Sequence, residues 1–536
     1  MRNDLPARTV AVIGAGPIGM AAAAHLLERG FAPIVLEAGE SVAANFESFR
    51  HVQLFSPWRY NLDPAARRLL EPTGWKAPEL DFLPTAGAMV DRYLAPLSRL
   101  PALASAIRYS HRVLDVSREG FDKVKSRGRD EAPFVIRAQS PEGVREIRAW
   151  GVIDASGSWG KPNPLGANGL PAVGEIEAAA RIRYGMPDIL GRERDRYAGK
   201  RVLVAGAGHS AAGNLLALAK LSEMVSDTSI VWTIRGHNFA RIFGGGENDG
   251  LAARGALGKR LEALAQSRRL EVVADFRTFE VMSSRASQRD EGAGTKLTVL
   301  GYGLDNEVRS IEDIDEIIVS AGGRPDLALT SELRLKLDSW IESTEQLAPL
   351  IDPNLHSCGT VRPHGHRELE HPEKNFYAVG AKSYGRAPNF LLATGHEQVR
   401  SVVAALAGDL VAADDVQLDL PQTGVCSTQF DEASSACCGP AETTEVTTLA
   451  TQGGKAMASG GCGASVAVAD NEVAGSGCGT ASCGGASKAR EDACCGLDET
   501  IKDAGGSGCG SAASKAATAR AAGAPSTEAK SSSCCR

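Results

Sequence analysis

The chain has 536 residues, 58 of them basic and 65 acidic, for a net charge of −7. That length supports two or three domains with proper cores, and the near-even charge balance argues against nucleic acid or an anionic membrane surface as partner. Of 12 cysteines only Cys358 precedes residue 410, which leaves 12 − 1 = 11 for the last 536 − 409 = 127 residues, so the body is not a disulfide framework.

In chain order, TVAVI at 9–13 reads as a short buried strand. GAGPIG, the helical MAAAAHLLERG and a second strand within FAPIVLEAG follow it. Together they form a βαβ unit with Gly30 as helix C-cap. The stretch TVAVIGAGPIGMAAAAHLL has the apolarity of a signal-peptide core, but three glycines and a proline break it and a regular α/β pattern continues beyond it. No other run approaches the roughly 20 apolar residues of a membrane span. The expectation is a soluble, cytoplasmic protein whose thiols stay reduced.

Between 107 and 155 the pattern changes to short alternating strands: APFVIRA, a turn at SPEG, REIRAW and VIDASG, with the polar KSRGRDE at 125–131 as a loop. A second βαβ unit begins at 200 with KRVLVAGAGHSAAGNLLALAKL and SIVWTIRG, and DEIIVSAGGRPD at 315–326 closes it. GHEQVRSVVAALAGD reads as the last helix, ending near 409. Beyond about 412 alanine, glycine, serine and threonine dominate without apolar periodicity, which predicts a disordered tail. The predicted organisation is 1–190 and 326–411 for a discontinuous first domain, 191–325 for a second, and 412–536 for the tail.

Two glycine turns carry the chemistry. In GAGPIG, Gly14 permits the tight turn, Gly16 admits a pyrophosphate and Gly19 lets helix and strand pack. Glu37 ends the second strand 37 − 14 = 23 residues on, where a carboxylate accepts hydrogen bonds from ribose hydroxyls. The second turn, GAGHSA, offers Gly206, Gly208 and Ser210. Arg235 stands 235 − 206 = 29 residues on, a residue suited to a ribose 2′-phosphate. Two such folds in one chain imply FAD on the first and NADPH on the second, with hydride passing between them.

GAGPIG with Glu37, VIDASGSWGKPNPLG, GAGHSA and SAGGRP, in this order, resemble the two-dinucleotide-binding flavoproteins of the class B flavin monooxygenase group. The resemblance covers roughly residues 8–409. More narrowly, FSPWRYNLDPAARRLL, IRYGMPDILG and KSYGRAPNFLLATGHEQVRS resemble a bacterial branch found in arsenic-resistance operons. The resemblance implies an α/β fold with two Rossmann-like domains and monooxygenase-type activity. Two departures stand out. The group's F-x-G-x-x-x-H segment is absent, because the stretch RYGMPDILGRERDRYAGK has no histidine. Disulfide reductases of this fold end in a Gly-Asp at the flavin ribityl chain, where this chain has Gly380, Ala381 and Lys382.

Reduced flavin needs an acceptor. A dithiol relay within the body is excluded by its single cysteine, leaving oxygen, or a bound small molecule or metalloid. Cys358 is a candidate thiol facing the cleft. His356, His364, His366 and His371 around it have spacings that suit either a metal or a structural cleft lining. In the tail, the adjacent pairs Cys437–Cys438, Cys494–Cys495 and Cys534–Cys535 suit a soft thiophilic ion such as arsenite better than tetrahedral zinc. The alternatives are a reductase that uses tail cysteines as relay and a metalloid-sequestering protein without turnover.

Overall fold

Strands of a parallel sheet covered on both faces read as unbroken apolar runs, and the four-residue runs at 10–13 and 202–205 lie in such strands. The computed structural model describes residues 8–418 apart from residue 245 and residues 247–250, 284–295 and 357–360. Cys358 and the six tail cysteines named above therefore lie outside the described residues.

The first domain contains β1 (Thr9–Ile13), β2 (Ala32–Leu36), β3 (Ile107–Arg108), a meander of β4 (Arg112–Arg118), β5 (Phe134–Ser140) and β6 (Gly143–Ala149), and then β7 (Gly151–Asp154). The second contains β8 (Ile182–Tyr184), β9 (Arg201–Ala205), β10 (Ser229–Thr233), β11 (Glu271–Val273), a meander of β12 (Arg277–Ser283), β13 (Leu297–Tyr302) and β14 (Val308–Ile314), and β15 (Glu316–Val319). The chain then returns to the first domain with β16 (Phe376–Ala378). The first parallel sheet has the order β16-β7-β1-β2-β3 and the second β11-β10-β9-β15-β8. Each three-stranded meander thus precedes the strand that returns beside the first strand of its sheet. The two domains are built on one plan.

The principal helices are α1 (Pro17–Glu28), α2 (Pro64–Leu70), α3 (His209–Met224), α4 (Ala252–Gln266), α5 (Leu392–Leu406) and α6 (Leu410–Asp414). Helix α1 starts with a proline in its first turn, where a missing N–H does no harm. Its run Ala21–Ala24 is fully buried, because short side chains let α1 lie between the sheet and α5. Among the described residues no helix is long and apolar enough to cross a membrane.

Two predicted boundaries move. Residues 164–190 belong with the second domain: Leu165, Ala172 and Ala178 enter its core, and β8 pairs with β15 at the sheet edge. A three-residue edge strand carries no readable period, so the division expected at 190 falls too late. At the other end α6 crosses the expected start of the tail. Ser401 donates its hydroxyl to Ala413 O at 2.7 Å, and Arg367 pairs with Asp414.

A buried ionic joint ties the first meander to the returning chain. Glu373 receives Arg118 Nε at 2.7 Å, Arg129 Nη2 at 2.9 Å and the Arg334 amide at 2.9 Å. Burial alone would raise the pKa of this carboxyl, but these donors outweigh burial and hold it below the usual value. Replacing Glu373 by alanine strands two buried guanidinium groups and is expected to lower stability by about 3–5 kcal/mol. Glu146→Ala, at an exposed pair with Arg137, is expected to change it by less than about 1 kcal/mol. Thermal melts of the two variants check the contrast.

Candidate functional site

The carboxyl ends of β1, β7 and β16 form one edge, the place where open parallel sheets bind ligands. Gly14, directly after β1, has φ +96°. A Cβ there would meet Ala155 O at 2.9 Å, so glycine is required twice over. Gly19 lies against the same turn, and a Cβ on it would reach Gly14 O at 1.9 Å. Gly16 is different. Its φ of −74° suits any residue, and nothing lies within 4 Å of its Cβ position. It caps the N-terminus of α1 without a side-chain cap, leaving an open cradle of backbone N–H groups suited to a pyrophosphate. A side chain on Gly16 would fill that cradle.

Glu37 stands at the end of β2, nearly buried. Its Oε2 accepts from the Ala15 amide at 2.7 Å and its Oε1 from the Gly39 amide at 2.8 Å. The acidic residue expected to meet a ribose therefore also shapes the glycine turn.

The second turn repeats these features. Gly206, after β9, has φ +140°, and a Cβ would lie 2.4 Å from Ser320 O. Gly208 caps α3 with nothing within 4 Å of its Cβ position. Ala211 is fully buried where the first site has Gly19. Ser210 lies in the first turn of α3. Arg235 follows β10, is exposed and donates from Nη1 to Ala167 O at 3.2 Å.

Gly380 adopts φ +68° just past β16, and Ile18 of α1 presses on it. Gly395, in the first turn of α5, packs on the same Ile18. The N-termini of α1 and α5 thus converge on this edge. Gln398 holds the Gly380 turn: its Oε1 accepts from the Gly380 amide at 2.7 Å, and its Nε2 donates to Ser383 Oγ at 2.9 Å and to His364 Nε2 at 2.9 Å. His364 Nδ1 lies 2.9 Å from Arg362 O, which assigns the proton to Nδ1. Burial lowers the His364 pKa, in keeping with this neutral tautomer.

Where the two domains face each other, Phe55 packs on His209, the first residue of α3, with ring centroids 4.9 Å apart. Phe49 packs on Trp159 at 4.5 Å. A cleft of about 610 Å³ opens between Arg50, His51, Asp91 and Arg92 on one side and Asp188 and Arg192 on the other. Asp188 and Arg192 belong to the stretch that lacks the expected histidine.

The four histidines of the candidate metal loop take separate partners. His356 meets Pro349 O, His364 meets Gln398, His366 meets Asp414, and His371 accepts from the Lys336 amide. Among the described residues no group of three or more histidines, cysteines or carboxylates is placed to hold a metal. Asp154 and Gln398 escaped the sequence reading, and Lys382 stood out there only as a departure from a Gly-Asp pattern. The one available signal was an acid closing the otherwise apolar run VID. Asp154 Oδ2 is ion-paired with Lys382 at 3.2 Å without hydrogen-bond geometry, and Ser343 Oγ and His371 Nε2 have no hydrogen-bond partner among the described residues. All three residues line a cavity of about 20 Å³ behind the Gly380 turn, space and polar surface that suit one buried water.

Residues 9–135 match the DAO family of FAD dependent oxidoreductases. Bacillithiol disulfide reductase from Bacillus cereus superposes with a TM-score of 0.53 at 17% identity, over 75% of this chain and 99% of that one. The reductase of the same name from Staphylococcus aureus gives 0.50 at 15%, over 76% and 100%. DfoA, the FAD-bound cadaverine monooxygenase of desferrioxamine biosynthesis from Erwinia amylovora, gives 0.53 at 12%, over 80% and 99%. Comparison with curated proteins finds no match. The chain carries an FAD-dependent oxidoreductase domain, and its fold is shared by reductases and monooxygenases alike.

Gly19→Ala is expected to force the Gly14 turn apart and abolish FAD retention, read as loss of flavin absorbance in protein that keeps its far-ultraviolet dichroism. His371 gives a pH test. Burial pushes its pKa down to about 4, so the unfolded chain takes up the proton first as pH falls. Stability is expected to drop by about 3 kcal/mol between about pH 6.5 and about pH 4 from this residue. His371→Gln should flatten that part of the pH–stability curve.

Proposed function

We propose that the chain is an FAD- and NADPH-dependent oxidoreductase of the flavin monooxygenase type, acting on a small-molecule or metalloid substrate. The observation that carries this reading is the pair of matching glycine turns, each an open helix N-terminus at the carboxyl edge of its own sheet, within one chain whose first 425 residues hold a single cysteine. FAD, when bound, supplies a two-electron carrier between a nicotinamide and the final acceptor. The α1 N-terminus with Gly14 and Gly16 would hold its pyrophosphate, Glu37 its adenosine ribose, and the Gly380 turn with the α5 N-terminus its other end. Gly206, Gly208 and Ser210 would hold the pyrophosphate of NADPH, and Arg235 its 2′-phosphate. The cleft beside Arg50, Arg92 and Arg192 offers the space for a small substrate. Hydrogen bonds to Glu47 and Asp91 hold the Arg50 guanidinium in place at the cleft wall.

The finer part of the reading rests on sequence alone. Paired thiols at Cys437–Cys438, Cys494–Cys495 and Cys534–Cys535 would give the body a soft-ion trap for arsenite or a similar ion. The same pairs support a second reading, in which the chain is a reductase and tail cysteines relay electrons.

NADPH oxidation and oxygen uptake by full-length protein, and by a full-length variant with those six cysteines replaced by serine, separate the readings. Oxygen uptake that survives the replacements supports the monooxygenase. Arsenite-dependent NADPH oxidation that needs the thiols and no oxygen supports the reductase. Arg235→Ala is expected to raise KM for NADPH about ten- to a hundredfold through loss of a charge-assisted contact. Its kcat and its KM for NADH should stay unchanged. A uniform loss for both nucleotides would sink the 2′-phosphate assignment.

A further inference from the structure

We propose that Lys382 is a positioning residue that clamps the flavin-side turn to both interdomain crossovers and thereby sets the two nucleotide sites for hydride transfer. The inference rests on the two-cofactor reading above and adds to it a residue and a role.

The chain passes between the domains twice, through residues 155–163 after β7 and residues 320–326 after β15. These segments run antiparallel and hold each other. The Asn163 amide donates to Gly322 O at 2.9 Å, the Arg324 amide to Lys161 O at 3.0 Å, and Arg324 Nε to Asn163 Oδ1 at 3.0 Å. They form a two-stranded hinge. These bonds tie one crossover to the other, and backbone pairing ties only the start of the first to the flavin-side turn, through the Val379 amide and Asp154 O at 2.9 Å.

Lys382 adds a tie that reaches both crossovers. Its backbone closes the turn that begins at Gly380. Its side chain, 2% exposed, reaches Asp154 Oδ2 at 3.2 Å at the end of β7. The same ammonium donates to Ser156 Oγ at 3.2 Å on the first crossover and to Asp326 O at 2.5 Å on the second. Of the three N–H donors of an ammonium, one goes to each crossover, while the charge as a whole faces the Asp154 carboxylate as an ion pair. Register across β7 and β16 brings the pair together, with Ala378 opposite Asp154.

A buried ion pair is a poor device for stability, because desolvation offsets most of its attraction. What it does supply is a fixed relative position of the groups it joins, and the three groups joined here are the flavin-side turn and the two ends of the hinge. Ser156 also backs the Gly14 turn, where its Cα lies 3.2 Å from the Cβ position of Gly14. One side chain therefore connects the pyrophosphate turn, the Gly380 turn and the second domain.

The test uses full-length, FAD-loaded protein. Lys382→Met alone leaves Asp154 buried and unpaired, so the principal variant is the neutral pair Lys382→Met with Asp154→Asn. Ser156→Ala removes one tether without altering charge and keeps the test alive if the double variant fails to fold. Amide hydrogen exchange in residues 156–163 and 320–326 is expected to rise about tenfold in the double variant and a few-fold in Ser156→Ala, with β1 and β2 unchanged. Anaerobic flavin reduction at saturating NADPH should slow about tenfold in the double variant, with FAD content and NADPH Kd within about twofold of wild type. Exchange and reduction rates like wild type in folded, FAD-loaded variants would overturn the clamp. If NADPH fails to reduce the flavin of the wild-type protein, the two-cofactor reading fails and the clamp's role in hydride transfer falls with it. A result of that kind is distinct from a normal wild type with an indifferent variant.

Discussion

The arrangement depends on one close approach made twice: the glycine turn that leaves the first strand of each sheet lies against the carbonyl that ends the strand beside it. Ala155 O limits Gly14, and Ser320 O limits Gly206. Because the neighbouring strand exits at that point, the segment that confines the glycine turn is also the segment that crosses to the other domain. Binding edge and hinge are one stretch of backbone. Any side chain at Gly14 or Gly206 would displace the crossover along with the turn, so these glycines bear on interdomain geometry as well as on the turn itself.

Buried charge follows the same logic of joining distant segments. Glu373 gathers Arg118 and Arg129 from the meander, Asp154 meets Lys382, and Asp63 meets His25 at 3.0 Å while capping α2 through the Ala66 amide. In each case the partners lie in different elements, and each carboxylate is almost wholly enclosed. For Asp63, burial acts to raise the pKa, yet attraction and hydrogen bonding from His25 outweigh it and hold the value below normal. The apolar cores would tolerate small shifts of one layer over another, whereas a short hydrogen bond to a buried charge tolerates little. Polar joints therefore define the register between layers that hydrophobic packing holds together.

Much of this was legible in the sequence because it is local. The turn glycines, Glu37 at the end of its strand, the alternation of β5 and β6 and the apolar runs of the parallel strands all express short-range rules of spacing and period. What escaped depends on pairing over long separations. Residues 164–190 gave no periodic signal, since β8 is three residues long and gains its meaning from β15, more than 100 residues later. Lys382 read as a departure from a Gly-Asp pattern; its role appears only when β16 settles beside β7. Gln398 sits in an ordinary helical stretch, and nothing near it announces the His364 and Ser383 partners. The spacing of the histidine-rich loop left a metal centre and a structural lining both open, and the fold sends each described ring to a different neighbour.

The two glycine turns share a plan but differ in how tightly they are finished, and on the proposed reading the difference fits a division of labour. In the first, Gly19 lets α1 touch the turn, and Glu37, nearly buried, fastens Ala15 and Gly39. The loop is pre-formed, and residues from α5 and the Gly380 turn close over the same edge. In the second, Ala211 takes the place of Gly19, and Arg235 is exposed, with a single hydrogen bond among the described residues, to Ala167 O, that a phosphate can replace. Pre-formed loops and enclosed carboxylates lower the ordering entropy lost on binding and slow release. An exposed guanidinium with one weak tie favours exchange. On the proposed reading, the first site suits a resident cofactor and the second a reductant that arrives, delivers and leaves. That asymmetry comes from a few side chains on two copies of one architecture.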